Sequence, residues 1–155
     1  MIRVQRHDFD PGKELARLTM GRTDIGGAVL FCGLVRDLVG SQQGKSQKIA
    51  ALTLEHYPGM TEKMLAAIEA EALARWPLSA SLIVHRHGRL EPGERIVLVA
   101  TAAAHRDAAL ASCQFLIDWL KTQAPFWKLE ETREGARWVA ARDSDDEAAE
   151  RWTAE

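Results

Sequence analysis

The chain has 155 residues and a mass of 17.2 kDa, with 46% hydrophobic and 27% charged residues. At this length a core forms without disulfides or a structural metal, and no apolar run approaches the roughly 20 residues of a membrane span or forms the amino-terminal apolar stretch of a secretion signal, which predicts a cytoplasmic protein. The net charge of −2 is uneven: residues 130–155 hold nine acidic and four basic side chains, leaving 16 basic against 13 acidic before them, too few cations for a nucleic-acid surface but enough for a pocket that takes a small anion.

Ile2 to Arg6 alternates as a short strand, and Pro11 with Leu15 and Leu18 suggests a short helix. After Gly26-Gly27, the continuous apolar run Ala28 to Val35 predicts a strand buried on both faces, ending at Arg36. The Gly, Ser, Gln and Lys-rich segment 37–48 reads as an exposed mobile loop. Ile49 to His56 is a strand, Tyr57-Pro58-Gly59 a turn, and Thr61 caps a helix running to about Trp76, with Met64, Leu65, Ile68 and Ala72 on its apolar stripe. Ser81 to Arg89 and Arg95 to Thr101 form a hairpin through Pro92-Gly93. A helix after His105 presents Leu110, Cys113, Leu116, Ile117 and Leu120 and stops at Pro125. Short strands are expected at Phe126 to Glu131 and Arg137 to Ala140, then an acidic tail over 143–155 as a solvated helix or frayed end. Hairpins with helices laid on one side make one α+β domain over 1–155.

No phosphate-binding glycine loop, nucleophile elbow, HExxH or paired CxxC occurs. Cys32 and Cys113 read as reduced thiols in apolar surroundings. His85 and His87 share a strand face, but two imidazoles fall short of the three or four ligands a zinc centre needs, so hydrogen-bonded or partly exposed histidines are the simpler reading and no metal is assigned. His105-Arg106 opens a long helix, whose amino terminus attracts anions, and Arg106 adds a guanidinium suited to clamping one; Asp107 is the local counter-charge if no ligand is bound. Lys121 either complements the helix dipole or faces a site. Lys128 shares a strand face with Phe126, so an ammonium stands beside an aromatic wall, where desolvation and other cations would lower its pKa and make it an acid, base or nucleophile. Arg36 stands at a strand end, where site residues gather.

Four ordered blocks, Leu52 to Lys63 (LTLEHYPGMTEK), His85 to Glu94 (HRHGRLEPGE), Ala104 to Arg106 (AHR) and Leu120 to Lys128 (LKTQAPFWK), resemble the large, catalytic subunit of molybdopterin synthase, the MoaE family, over nearly the whole chain. The resemblance implies an α/β hammerhead fold with an additional small β subdomain. It implies an enzyme, a sulfurtransferase that converts cyclic pyranopterin monophosphate to molybdopterin by inserting two dithiolene sulfurs. The sulfur would come from the carboxyl-terminal thiocarboxylate of a small ubiquitin-like partner of the MoaD type, in a heterotetramer built on a homodimer of large subunits. It implies Lys121 and Lys128 as catalytic residues, with His105, Arg106 and Arg36 binding the anionic pterin. Leu34, through its backbone, and Val35, Leu129 and Glu130 would line the same substrate site. No cofactor is implied, and molybdenum would enter only later. The competing readings are a module that binds the partner's tail without chemistry and a small hydrolase built on His85, His87 and His105.

Overall fold

In a computed structural model, which describes residues 1–39, 47–139 and 143–153, the elements follow in the order β1 (Ile2–Gln5), α1 (Pro11–Thr19), β2 (Gly27–Leu34), β3 (Leu38–Val39), β4 (Gln47–His56), α2 (Met60–Arg75), β5 (Leu78–Arg86), β6 (Gly88–Leu90), β7 (Arg95–Ala103), α3 (Arg106–Gln123), β8 (Phe126–Thr132), β9 (Gly135–Trp138) and α4 (Asp143–Glu150). Two sheets result. The first has the order β1-β5-β7-β2, with β1 parallel to β5 and the other pairs antiparallel; the second runs β3-β4-β8-β9, with β6 also paired to β4.

Strand alternation decides which residues meet which helices. On one face of the first sheet Ile83 and Val99 pack against Leu65, Ile68 and Ala72 of α2 and Cys113, Phe115, Leu116 and Leu120 of α3. On the opposite face Leu82, Val84, Leu98 and Ala100 pack with Phe9 and, from α1, Leu18. Each fully buried Leu or Phe contributes about 1.5–3 kcal/mol, so both faces are held. The helices therefore cover both sides of this sheet rather than one: α1, with Pro11 in its first turn and the Asp10 carboxylate accepting from the Lys13 N–H (3.0 Å), takes the second face.

Several elements depart from the sequence reading. The apolar β2 is an outer strand, not a doubly buried one, and leaves Phe31 and Leu34 exposed. The run Ser81 to Arg89 divides: Gly88, at φ +92°, turns the chain out of the first sheet, and β6 pairs with Leu52–Leu54 in the second. Segment 37–48 begins and ends as strand, Leu38 and Val39 pairing with Lys48 and Gln47, while 40–46 lies outside the described residues. Gly59, not Thr61, precedes α2, and the Glu62 carboxylate accepts from the Gly59 N–H (2.7 Å); Thr61 is buried and exchanges hydrogen bonds with the Tyr57 backbone. In α3 the small Ala109 takes the place expected of Leu110 on the buried stripe, and Leu110 is exposed. The acidic tail is anchored rather than merely solvated. Trp152 packs edge-on against Trp76 and Phe115 (ring centroids 5.7 and 5.5 Å), and its indole N–H donates to Asp118 Oδ2 (2.9 Å).

Candidate functional site

Register places the site at one end of the first sheet. Leu34, the last residue of β2, lies opposite Arg95 at the start of β7, and His85, near the end of β5, lies opposite Val97. Val35 N–H donates to Glu94 O (2.9 Å) and Val35 O accepts from Gly93 N–H (2.8 Å), which ties the strand end to the Pro92-Gly93 turn. The exposed Arg36 then faces a depression lined by Val35, Asp37, Pro92 and Gly93. Buried Val35 packs with Leu52, Leu54, Leu90 and Ile96 in the seam between the sheets, so it forms the floor of that depression and supports it from below.

The second sheet brings Lys128 to this seam, since Lys128 pairs with Leu54. Helix α3 ends at Gln123, Phe126 N–H donates to Ala124 O (2.8 Å), and β8 starts at once, so the Pro125 turn separates the exposed Lys121 and Lys128 by only a few residues of chain. Leu129 is half-buried on the other face of β8 from Lys128. Glu130 is buried and receives Arg137 Nε and Nη2 (3.2 and 3.1 Å). That carboxylate is committed to an ion pair, an arrangement that suits holding β9 on β8 better than contacting an anion.

His105 and Arg106 stand elsewhere. His105 is the residue before α3 and makes no side-chain cap, so first-turn N–H groups remain open to a ligand. Arg106 and Asp107 form an ion pair (3.6 Å) that is almost wholly solvated and worth little. Gly26 explains the double glycine: a Cβ there would lie 2.1 Å from Ala104 O, so only glycine lets β2 pass the segment that carries His105 and Arg106. Lys121 lies sixteen positions beyond His105 along the helix, about 24 Å at 1.5 Å per residue. One copy of the chain therefore holds Arg36, Lys121 and Lys128 at one end and His105 and Arg106 at the other.

His85 is the residue that the reading of the sequence undervalued. It is buried, and its ring lies flat on Phe126, centroids 3.6 Å apart and planes 14° apart. Nδ1 is 2.8 Å from Arg86 O, and a carbonyl only accepts, so Nδ1 carries the proton. Burial pushes its pKa down to about 3 against the pull of that hydrogen bond, with Lys128, His56 and His87 adding to the fall. The available signal was its place in the apolar run Leu82-Ile83-Val84, which made it a core residue. Burial, then the neighbouring His56, also lowers the pKa of His87, whose ring centroid is 4.5 Å from that of His56. Among the described residues no group of three or more His, Cys, Asp or Glu is placed to hold a metal ion. Burial raises the thiol pKa of Cys32, and that of Cys113 to about 11, so neither is poised as a nucleophile.

A family model described as "MoaE protein" matches residues 4–123. The chain is 54% identical over 151 residues to the molybdopterin synthase catalytic subunit of Pseudomonas aeruginosa, covering 97% of each. The solved MoaE protein of Burkholderia ambifaria is 52% identical, with a TM-score of 0.82 over 100% of this chain and 99% of that one. Molybdopterin synthase from Staphylococcus aureus is 28% identical, with a TM-score of 0.79 over 89% and 96%. Agreement of sequence and fold over essentially the full length makes the chain a member of the MoaE family.

Proposed function

We propose that the chain is the catalytic subunit of a molybdopterin synthase, which makes the dithiolene of molybdopterin from cyclic pyranopterin monophosphate with sulfur from the thiocarboxylate tail of a small ubiquitin-like partner. The observation that carries this reading is the α3–β8 turn, which sets Lys121 and Lys128 on either side of Phe126 at the end of the sheet where Arg36 emerges. Arg36 holds the substrate phosphate. The two ammonium groups face the negative charge that develops as sulfur is transferred, and Leu34 and the backbone of Leu129 border the pocket. Cations aimed at developing charge act most strongly where water is excluded, which the seated partner tail achieves. Val35 and Glu130 support this site through packing and the Arg137 pair.

His105 and Arg106 complete the site from a second copy, because 24 Å is more than one small pterin spans. The outer strand β2, with Phe31 and Leu34 exposed, offers a surface for that copy. Antiparallel pairing along it would bring the Gly27 end of one copy, with His105 and Arg106, toward the Leu34 end of the other. No described helix is long and apolar enough to cross a membrane.

The test is conversion of cyclic pyranopterin monophosphate by the purified chain mixed with a thiocarboxylated partner. Lys121→Ala should lower turnover by roughly 10²–10³-fold, with the melting temperature unchanged because Lys121 is exposed. Equal rates for the variant and the parent would remove Lys121 from the mechanism, and tight partner binding without any product would favour a tail-binding module.

A further inference from the structure

Phe126 is the pivot between the two lysines. Pro125 precedes it, its N–H closes on Ala124 O, and β8 leaves from it toward Lys128 two residues on, on the same face. Its backbone therefore joins α3, which carries Lys121, to β8, which carries Lys128, while its ring packs on His85 of β5 in the other sheet. That ring contacts two histidines: His56, its register partner on β4, lies at a centroid distance of 6.1 Å, and His85 lies at 3.6 Å with the planes nearly parallel. Aromatic centroids usually sit 4.5–7 Å apart, so the His85 contact is an almost complete overlap with little freedom to slide. His85 is itself fixed, buried in β5 with Nδ1 on Arg86 O. A rigid strand of the first sheet thus holds the first residue of the strand that carries Lys128 in the second.

We propose that His85 is a positioning residue for Lys128, acting through the Phe126 ring on which it is stacked. This rests on the synthase reading of the site. His85 touches no substrate; it fixes where Lys128 stands relative to Lys121. Removing the ring lets Phe126 tilt into the vacated space and carries the ammonium with it, and a displacement near 1 Å costs about 10²-fold in rate.

His85→Asn retains a short amide donor for Arg86 O but has no ring; His85→Phe retains the ring without the donor. Turnover should fall tenfold to about a hundredfold in His85→Asn with KM within about twofold of the parent, and stay within about threefold of the parent in His85→Phe. In a Lys128→Ala background, His85→Asn should cause no further loss, because its effect runs through Lys128. Losses that multiply in the double variant, or a folded His85→Asn with parental turnover, would overturn the proposal. If His85→Asn fails to fold, His85→Leu, apolar and close in volume, replaces it in the same cycle. A second readout needs no turnover: with lysines ¹³C-dimethylated and the Lys128 resonance assigned by Lys128→Arg, that resonance should shift in His85→Asn and far less in His85→Phe. An unmoved Lys128 resonance in His85→Asn would refute the positioning role, whereas absent turnover in the parent protein would refute the synthase reading and leave the resonance test standing.

Discussion

Gly26→Ala turns a close backbone approach into a test of how the His105–Arg106 end is built. The added Cβ would lie 2.1 Å from Ala104 O and 3.1 Å from Ala104 C. Carbon and oxygen need somewhat more than 3 Å, so the backbone must part by about 1 Å, and no flexible side-chain end is available to absorb it. Gly26 N–H also donates to Ala103 O (3.0 Å), so separation strains the first pairing of β2 with β7. Overpacking of this kind costs about 1–3 kcal/mol, or a fall of roughly 2–12 °C in Tm at 2–4 °C per kcal/mol for a domain of this size. The displaced segment carries His105 and Arg106, so turnover should fall by up to about 10²-fold in addition. Gly27→Ala is the internal control, since its Cβ would meet Arg106 Cα at an ordinary 3.7 Å and should leave both quantities near the parent values. Melting is followed by calorimetry, and turnover with the thiocarboxylated partner in excess. A Gly26→Ala protein that melts and turns over like Gly27→Ala would refute the close-approach reasoning.

Trp152→Ala removes two edge-to-face contacts and the donor to Asp118 and should cost about 3–5 kcal/mol; thermal melting checks it, and an unchanged Tm would show that the tail does not stabilise the core. The pH dependence follows from His85, which is held neutral down to about pH 3 in the folded chain but takes a proton near 6.5 when unfolded. The unfolded state thus binds more protons between these values, so stability is complete above 6.5 and falls as the pH drops toward 3, by up to about 1.4 kcal/mol per unit. Urea titrations at pH 7, 5.5 and 4 should show this slope, and His85→Phe should flatten it; an identical slope in both proteins would assign the acid lability to other groups.

Much of the chain was legible without coordinates, because the information was local. Pro11 starts α1, Pro92-Gly93 makes the turn between β5 and β7, Pro125 stops α3, and the 3.6-residue periodicity marks α2 and α3. The blocks around His56, His85, Ala104 and Lys121 were also enough to point to the MoaE family. What the sequence left open depended on partners distant in the chain. An apolar run such as β2 reads alike whether both edges are paired or one is bare, since pairing is a property of the sheet order. Gly88 looked like an ordinary glycine within a strand, and only its φ of +92° shows the chain changing sheets there. The tail looked solvated by composition, yet Trp152 docks it on Trp76 and Phe115, with Ala149 buried beside it in the chain. The candidate site divides the same way: residue types and spacing singled out both lysines and the His-Arg pair, but their separation along α3 and the stacking of His85 on Phe126 arise only when helix length and sheet register are set together.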